Sequence, residues 1–233
     1  MRRAVLFING AFFFFAGSQA GALTGQEIAE RAYEVLRAQR DGYTDYTAHI
    51  TQVTKDKEGE EMARVKCKMF FRKPDKVYVD VLEYYEGGEK KDPPKRRDDE
   101  DDGVEFKLPL DEGYFPDYRF TYKATEAVSG EKCYRLAFSS SKEAKGYVYG
   151  SLWISADGYK LVKGSGQPYV QPKHCSKSSM TMYFKEYGGR TMVTKVSMYA
   201  KATFLLFLNK DIYITSLFSN YKFDQGIPAG KFK

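Results

Sequence analysis

The amino-acid sequence predicts a mainly β protein, in which a single helix is followed by about ten short strands of an antiparallel sheet that curls. Three observations support this fold class. A segment near the amino terminus has the spacing of an amphipathic helix, and the chain then alternates apolar and polar residues with period two. Turn-forming pairs such as Asp157-Gly158 and Gly188-Gly189 separate the alternating segments. The 19 tyrosines and 17 phenylalanines add residues that favour strands.

Residues 1–22 have the layout of a secretory signal peptide. Arg2 and Arg3 give a positive start, the run "AVLFINGAFFFFAG" carries no charge, and the small residues "SQAGA" follow. The run is too short for a dependable membrane span, which needs about 20 apolar residues. We expect cleavage after Ala22, with Ala20 as the alternative. Because no cysteine lies near either position, we expect a soluble, exported mature chain without a lipid anchor.

The helix is predicted from Thr24 to about Gln39. Thr24 and Glu27 have the spacing of a capping box, in which each side chain accepts a hydrogen bond from the other residue's backbone. A single apolar stripe contains Ile28, Ala32, Val35 and Leu36. The pair Asp41-Gly42 is expected to end the helix.

The clearest strands are "ARVKCKMFFRK" and "KVYVDV", which Pro74 and Asp75 separate. Their alternation places one set of apolar residues on a common face, and two later segments repeat the pattern. This predicted apolar face contains Val65, Cys67, Met69, Phe71, Val77, Val79, Val81, Met180, Met182, Phe184, Met192, Val196 and Met198. The further predicted strands are 47–54, 118–126, 132–139, 147–155, 158–164, 178–187, 191–200, 202–209 and 211–222, the last two joined by an "NKD" turn.

Residues 87–103, "GGEKKDPPKRRDDEDDG", interrupt this pattern. The segment is charged, contains two prolines and has no aliphatic side chain to bury, so we expect a flexible loop within a single domain of residues 23–233. Its acidic run 98–102 resembles the start of a calcium loop, but position twelve is Pro109, where such a loop needs a glutamate. Basic neighbours 95–97 would largely neutralise the run. We therefore expect no metal site and no nucleic-acid site here.

Motifs of catalysis are missing from the sequence. Its two histidines, His49 in the first strand and His174 in a connection, have no evident catalytic partners, and neither GxSxG nor HExxH occurs. Ser139 and Lys142 have SxxK spacing without the companion motifs of serine acyltransferases. The formal charge falls from +6 to +4 once Arg2 and Arg3 are removed, too small an excess to indicate nucleic-acid binding. We expect a protein that is not an enzyme and needs no cofactor.

The three cysteines, Cys67, Cys133 and Cys175, leave at least one thiol unpaired within a monomer. A bridge between Cys133 and Cys175 is one interpretation for an exported protein. The other is that Cys67 and Cys133 are small core residues on strands.

The chain contains the segments "DYTAHITQVTKDKEGEE", "KMFFRKPDKVYVDV", "GSLWISADGYKLVKGSG" and "SNYKFDQGIPAGKF". These four segments resemble the LolA-like family of periplasmic lipoprotein-sorting proteins. "DYTAHITQVTKDKEGEE" is similar to that family's first strand and turn, and "KMFFRKPDKVYVDV" to its strand, basic-basic-Pro-Asn/Asp turn and next strand. "GSLWISADGYKLVKGSG" resembles its Asp-Gly hairpin, and "SNYKFDQGIPAGKF" its closing strand and tail. The resemblance implies an unclosed, curved antiparallel β half-barrel with the amino-terminal helix on its concave side. It also implies an apolar hollow that receives acyl chains.

The function implied by the resemblance is that of a periplasmic, non-enzymatic carrier of lipid or of the acyl chains of lipoproteins. One helix can cover only part of a ten-strand sheet, so some apolar face should remain for a ligand. The expected cavity residues are Val65, Met69, Phe71, Val77, Val79, Val81, Met180, Met182, Phe184 and Met198, with Arg72 and Lys73 at the rim. The alternative is an envelope-stress sensor of the same fold.

Two departures from the family concern its lid. In the family's carriers an arginine before this proline latches the lid, whereas Lys73 stands here with Arg72 one residue earlier. The family's lid segment is replaced by residues 87–103 and "FKLPLDEGYFPDY". We expect a monomer, and the resemblance leaves open a transfer partner at the inner or outer membrane.

Overall fold

A computed structural model describes residues 23–93, 106–204 and 208–232 of the chain. The expected signal peptide, residues 1–22, lies outside the described residues, as does most of the charged tract from residue 94 onward. Within the described ranges, no helix combines the length and the apolar character that a membrane crossing requires.

Helix α1 spans Gly25–Asp41 and begins with the predicted capping box. The Glu27 backbone N–H donates to Thr24 Oγ1 at 3.2 Å, and the Thr24 N–H donates to Glu27 Oε2 at 2.7 Å. Gly42 ends the helix by donating its N–H to the carbonyl of Gln39. The buried stripe consists of Ile28, Ala29, Ala32 and Leu36.

The strands form one eleven-stranded antiparallel sheet, which confirms the predicted mainly β class. Their bounds are β1 Asp45–Lys55, β2 Glu61–Arg72, β3 Lys76–Glu86, β4 Glu89–Lys91, β5 Tyr118–Val128, β6 Glu131–Ser140, β7 Val148–Ser155, β8 Leu161–Pro168, β9 Cys175–Tyr187, β10 Arg190–Phe204 and β11 Leu208–Phe223. The order across the sheet is β4-β3-β2-β1-β11-β10-β9-β8-β7-β6-β5, so β4 and β5 are edges and the sheet is not closed. Two short 3-10 helices, Phe115–Asp117 and Ala229–Phe232, complete the elements of the described residues.

The sheet curves strongly around the helix. Met69 on β2 and Leu152 on β7 line the same cavity, although five strands lie between theirs. In a flat sheet, six strand spacings of about 4.8 Å would separate them by roughly 29 Å. Bringing both side chains to one cavity therefore requires the half-barrel curvature that the sequence predicts.

The packed core lies on the concave side, between helix α1 and strands β5–β7. Ile28, Ala29 and Ala32 of the helix belong to one buried cluster with Leu136 and Ile154 of the sheet. Gly25 fixes the start of the helix against β5, since a Cβ there would lie 2.4 Å from the Tyr122 backbone nitrogen. The helix thus packs on β5–β7 and also contacts β10, while the 3-10 helix Ala229–Phe232 contacts β3.

Two sequence-based strand boundaries are corrected by the structure. Residues 202–209 are not a separate strand: the "NKD" that suggested a turn lies inside β11, where Asn209 and Asp211 pair with Thr203 and Lys201. Strand β8 begins at Leu161 instead of residue 158 because Gly158 and Tyr159 have positive φ, 76° and 53°, in the preceding turn.

The charged tract also begins differently from the expected loop. Its first residues form strand β4, because Gly87 and Gly88, with φ of 58° and 82°, make a hairpin turn back onto β3. Lys91 then pairs with Glu86 at 3.1 Å.

All three cysteines are free thiols. Cys133 lies on β6 and Cys175 on β9, with two strands between them. Cys133 is fully buried, as a small core residue would be, whereas Cys67 and Cys175 are partly exposed.

Candidate functional site

Two adjoining cavities lie between the concave face of the sheet and the end of helix α1. Cavity 1, of about 370 Å³, lies beside the carboxyl end of the helix, and cavity 2, of about 160 Å³, continues along the sheet. They share part of their walls and are together called the hollow below. The shared lining residues are Leu108, Pro109, Leu152, Gly164 and Met182. Cavity 1 alone is within the usual size range of small-molecule sites, about 300–1,000 Å³.

The floor of the hollow is one face of the sheet, which the strand register defines. Directly paired residues on neighbouring strands project from the same face. One row of partners across the sheet is Leu152, Gly164, Met182, Val196, Ser216, Gln52 and Val65. A second row is Gly166, Met180, Met198, Ile214, Thr54 and Ala63. The methionines of β9 and β10 therefore share a face with the alternating apolar residues of β2.

Two glycines of β8 deepen the floor, and sequence reasoning missed them. Gly164 and Gly166 are two residues apart, so both occupy the concave face, and neither has a side chain to fill the space above it. A Cβ on Gly164 would be 3.4 Å from Leu152 Cδ2 and 3.8 Å from Met182 Cε. A G-x-G pattern inside a strand was the available signal, since it predicts a groove across the sheet at that strand.

The roof of the hollow is formed by residues 106–111. Leu108 and Pro109 line both cavities, and Leu110 is almost completely buried. The segment is anchored at Lys107, whose N–H donates to the Gly146 carbonyl at 2.9 Å. These residues belong to "FKLPLDEGYFPDY", one of the segments in which the sequence departs from the LolA-like pattern.

The hollow contains about half of the predicted cavity residues. Met69, Met182 and Phe184 line cavity 1, and Met180, Met182 and Met198 line cavity 2. Met192 lines cavity 1 as well. A bulge between Val193 and Lys195 shifts the register of β10, so the alternation from Val196 and Met198 does not continue to Met192, which pairs with Lys185.

The remaining predicted residues line neither cavity. Val65 is half-buried on the floor row, and Phe71 stacks on Tyr46 with ring centroids 4.9 Å apart. Val77, Val79 and Val81 share the concave face through their pairing with β2, but they are 57%, 43% and 43% exposed. We call these three residues the open valine strip. It extends the apolar floor beyond the reach of helix and roof.

The two rim residues lie at the β2–β3 turn and contact other elements. The Lys73 ammonium donates to the carbonyl of Arg40 at the end of helix α1 and lies 4.9 Å from the centre of the Tyr43 ring. Arg72 donates to the carbonyl of Ile227 in the tail at 3.4 Å. Lys73 thus ties the turn to the helix through a single ammonium, without the two parallel bonds that an arginine could make.

Aromatic residues close one end of cavity 1. Burial raises the pKa of Tyr46 and of Tyr221 well above the ordinary value, so both hydroxyls are neutral at physiological pH. The Tyr221 hydroxyl donates to the Val193 carbonyl at 2.7 Å, so this buried hydroxyl has a hydrogen-bond partner within the protein.

Across the described ranges, no group of three or more His, Cys, Asp or Glu residues is arranged to hold a metal ion.

Comparisons with known proteins found matches among solved structures. No family model and no curated protein matches the chain. A DUF1329 family protein from Desulfovibrio piger superposes with a TM-score of 0.55 at 12% identity, covering 90% of this chain and 95% of that one. A LolA superfamily protein from Nitrosomonas europaea gives a TM-score of 0.45 at 14% identity, with coverages of 91% and 98%. A domain described as an outer membrane lipoprotein-sorting protein from Vibrio parahaemolyticus gives 0.45 at 12%, with coverages of 88% and 97%.

Of these three, the DUF1329 family protein has a TM-score above 0.5, and at 12% identity its likeness concerns the fold alone. The architecture itself is plain from the strand order, the open edges and the single helix on the concave face. An unclosed antiparallel sheet curved around one helix is the LolA-like fold that the sequence resemblance implies.

Proposed function

We propose that this protein is a periplasmic, non-enzymatic carrier that binds lipid, or the acyl chains of lipoproteins, in the hollow. The observation that carries the proposal is an unfilled, largely apolar hollow of two cavities, about 370 and 160 Å³, inside one small domain. Protein cores are close-packed and hold few voids larger than a water molecule. An apolar hollow that side chains leave unfilled is the usual form of a ligand site, so its presence supports a role in binding.

The side chains around the hollow suit acyl chains of varied shape. Methionine supplies much of the floor, and its unbranched thioether can adapt to different neighbours. The floor methionines are Met69, Met180, Met182, Met192 and Met198. Hydrocarbon and thioether groups hold an apolar chain without specific polar contacts, which suits a carrier of lipid.

The open valine strip supports a second candidate, a sensor of the same fold that binds a protein segment. Val77, Val79 and Val81 lie near a sheet edge, where β4 pairs with only the last three residues of β3. Strand edges that expose apolar side chains are ready sites for another chain. A sensor would bind a peptide at this edge, and Val79→Asp would abolish that binding while leaving lipid binding intact.

The carrier proposal is tested by placing a carboxylate on the floor. Met69→Asp and Met182→Asp should each abolish binding of a fluorescent fatty acid, because an apolar chain would then lie against a charge. Ser197→Asp is the matched control: Ser197 pairs with Thr181 and Thr215 and faces the convex side, outside both cavities. Circular dichroism shows whether each variant folds. Binding that survives both floor substitutions in folded protein would exclude the hollow as the site.

A further inference from the structure

The charged side chains that line the hollow lie at the carboxyl end of helix α1. Among the described residues, the charged side chains that line cavity 1 are Arg40, Asp111 and Arg190. The described residues that line cavity 2 include no charged side chain. The Thr191 N–H donates to Gln39 Oε1 at 2.9 Å, which places this end of β10 against the helix. The hollow is therefore amphipathic, with charge at one end and hydrocarbon along the rest.

Two cations at this end satisfy carbonyl groups of the chain. Arg190 donates to the Gly42 carbonyl at 2.6 Å, and its guanidinium carbon lies 4.4 Å from the centre of the Phe223 ring. Lys73 donates to the Arg40 carbonyl. Cations commonly stabilise the last carbonyls of a helix in this way. The structural roles of Arg190 and Lys73 are thus accounted for.

Arg40 differs because its carboxylate partner belongs to the roof of the hollow, whereas the carboxylate partner of Arg190, Asp224 at 3.6 Å, lines neither cavity. The Arg40 Nη2 lies 2.9 Å from Asp111 Oδ1, which joins the helix end to the roof of the hollow. The two side chains are 40% and 36% exposed, so both groups remain partly solvated. An ion pair this exposed contributes little stability, and another anion can replace Asp111 at small cost.

The surroundings of Arg40 are favourable for an anion. Burial raises the pKa of the Tyr43 hydroxyl, and the charges of Arg40 and Arg190 oppose that shift. Lys73 and Arg190 also lie near the Tyr43 ring, with distances of 4.9 Å and 5.6 Å to its centre. Three cations therefore surround one aromatic residue beside the mouth of cavity 1.

We propose that the ligand of the hollow is an acyl amphiphile with an anionic head group, which pairs with Arg40 in place of Asp111 while its chain lies along the methionine floor. This inference rests on the proposed lipid-binding function and names the class of lipid. A guanidinium binds a carboxylate or a phosphate through two parallel hydrogen bonds, so either head group fits. The exchange keeps Arg40 paired and breaks its ion pair with Asp111 of the roof.

The test compares amphiphiles with the same chain and different head groups by isothermal titration calorimetry below their critical micelle concentrations. The ligands are dodecanoate, dodecyl phosphate, neutral dodecanoylglycerol and cationic dodecyltrimethylammonium. Wild-type protein should bind the anions about tenfold more tightly than the neutral ligand, as expected for a charge-assisted hydrogen bond that is partly exposed. The ratio of dodecanoate to dodecyl phosphate affinity then tells which anionic head group is preferred.

The alternative to this proposal is that the Arg40–Asp111 ion pair acts only as a latch between the helix end and the roof. Two substitutions that each break this ion pair distinguish the two. Arg40→Gln should remove the preference for anions and leave the neutral affinity within about twofold, whereas Asp111→Asn should tighten anion binding because a competing carboxylate is gone. A latch would make both variants change the affinity for every ligand in one direction, and that result would overturn the proposal. If Arg40→Gln does not fold, Arg40→Lys replaces it and should keep part of the preference.

Arg37→Gln is the control, since Arg37 lies on the same helix outside both cavities with its side chain 52% exposed. It should leave all four affinities unchanged. Equal binding of neutral and anionic ligands by wild-type protein would overturn the head-group inference and leave the carrier proposal standing. Failure of all four ligands to bind would overturn the carrier proposal itself.

Discussion

Replacing Gly164 with valine tests the hollow from its floor. Gly164 lies beneath both cavities, and a Cβ at this position would make ordinary contacts with the flexible ends of Leu152 and Met182, at 3.4 Å and 3.8 Å. The new side chain should therefore fit the folded protein. It should also occupy space that a bound chain needs.

The expected effect on binding is large, and the effect on stability is small. The three side-chain carbons of valine take the room of about three methylene groups, and each buried methylene contributes about 0.8 kcal/mol. Affinity should fall by ~2.4 kcal/mol, which corresponds to roughly 60-fold. Glycine inside a strand is unfavourable by about 0.5–1 kcal/mol, so the Tm should stay constant or rise by about 2–4 °C.

The assay is titration with a fluorescent fatty acid, accompanied by a thermal melt for each protein. Ser151→Val is the matched control, because Ser151 on the neighbouring strand β7 pairs with Ser165 and Ala137 and faces the convex side. It should bind like wild type. A Gly164→Val variant with unchanged Tm and unchanged affinity would show that the ligand does not lie over β8.

Three further predictions concern the folded domain and its processing. Thr24→Ala removes the capping box and should lower the Tm by about 2–4 °C, since a lost cap costs about 1 kcal/mol; an unchanged Tm would show that the cap is not needed. Hydrogen bonds from Lys142 and Tyr147 hold the pKa of the Asp117 carboxyl below its ordinary 3.8 in the folded protein. These hydrogen bonds therefore stabilise the fold fully above pH 3.8, and their contribution is lost as the pH falls through the lower folded-state pKa. Between about pH 5 and about pH 2 the Tm of wild type should therefore fall more steeply than that of Asp117→Asn, and parallel curves would contradict this. Exported protein should begin at Leu23 by intact-mass measurement, and an acylated or uncleaved amino terminus would refute the signal-peptide prediction.

Period-two alternation allowed much of the apolar face to be predicted from sequence. Along a strand, successive side chains alternate between the two faces of the sheet. Residues that pair directly on neighbouring strands project from the same face. For this reason Val65, Met69 and Met182 could be placed together although the segments are far apart in sequence. The capping box likewise fixed the start of the helix, because its hydrogen bonds are local.

Features that depend on tertiary contacts were not predictable in the same way. The three residues between β10 and β11 in the sequence are apolar and include no turn former, so the "NKD" inside β11 misplaced the predicted turn. Alternation shows which face of the sheet a residue occupies but not which strands the roof, residues 106–111, covers. The open valine strip was therefore expected inside the cavity, whereas its three side chains are exposed. The ion pair between Arg40 and Asp111 joins residues 71 positions apart and has no local signature.

Native mass spectrometry of gently purified protein tests the central proposal most directly. We expect the mature chain to retain one or more lipid molecules that dissociate on collisional activation, and we expect Met182→Asp, which alters both cavities, to be purified without them. Solvent extraction and fragmentation of the released molecules would identify the lipid. Wild-type protein that carries no lipid, and takes up none when incubated with an envelope lipid extract, would contradict the proposal that the hollow is a carrier site.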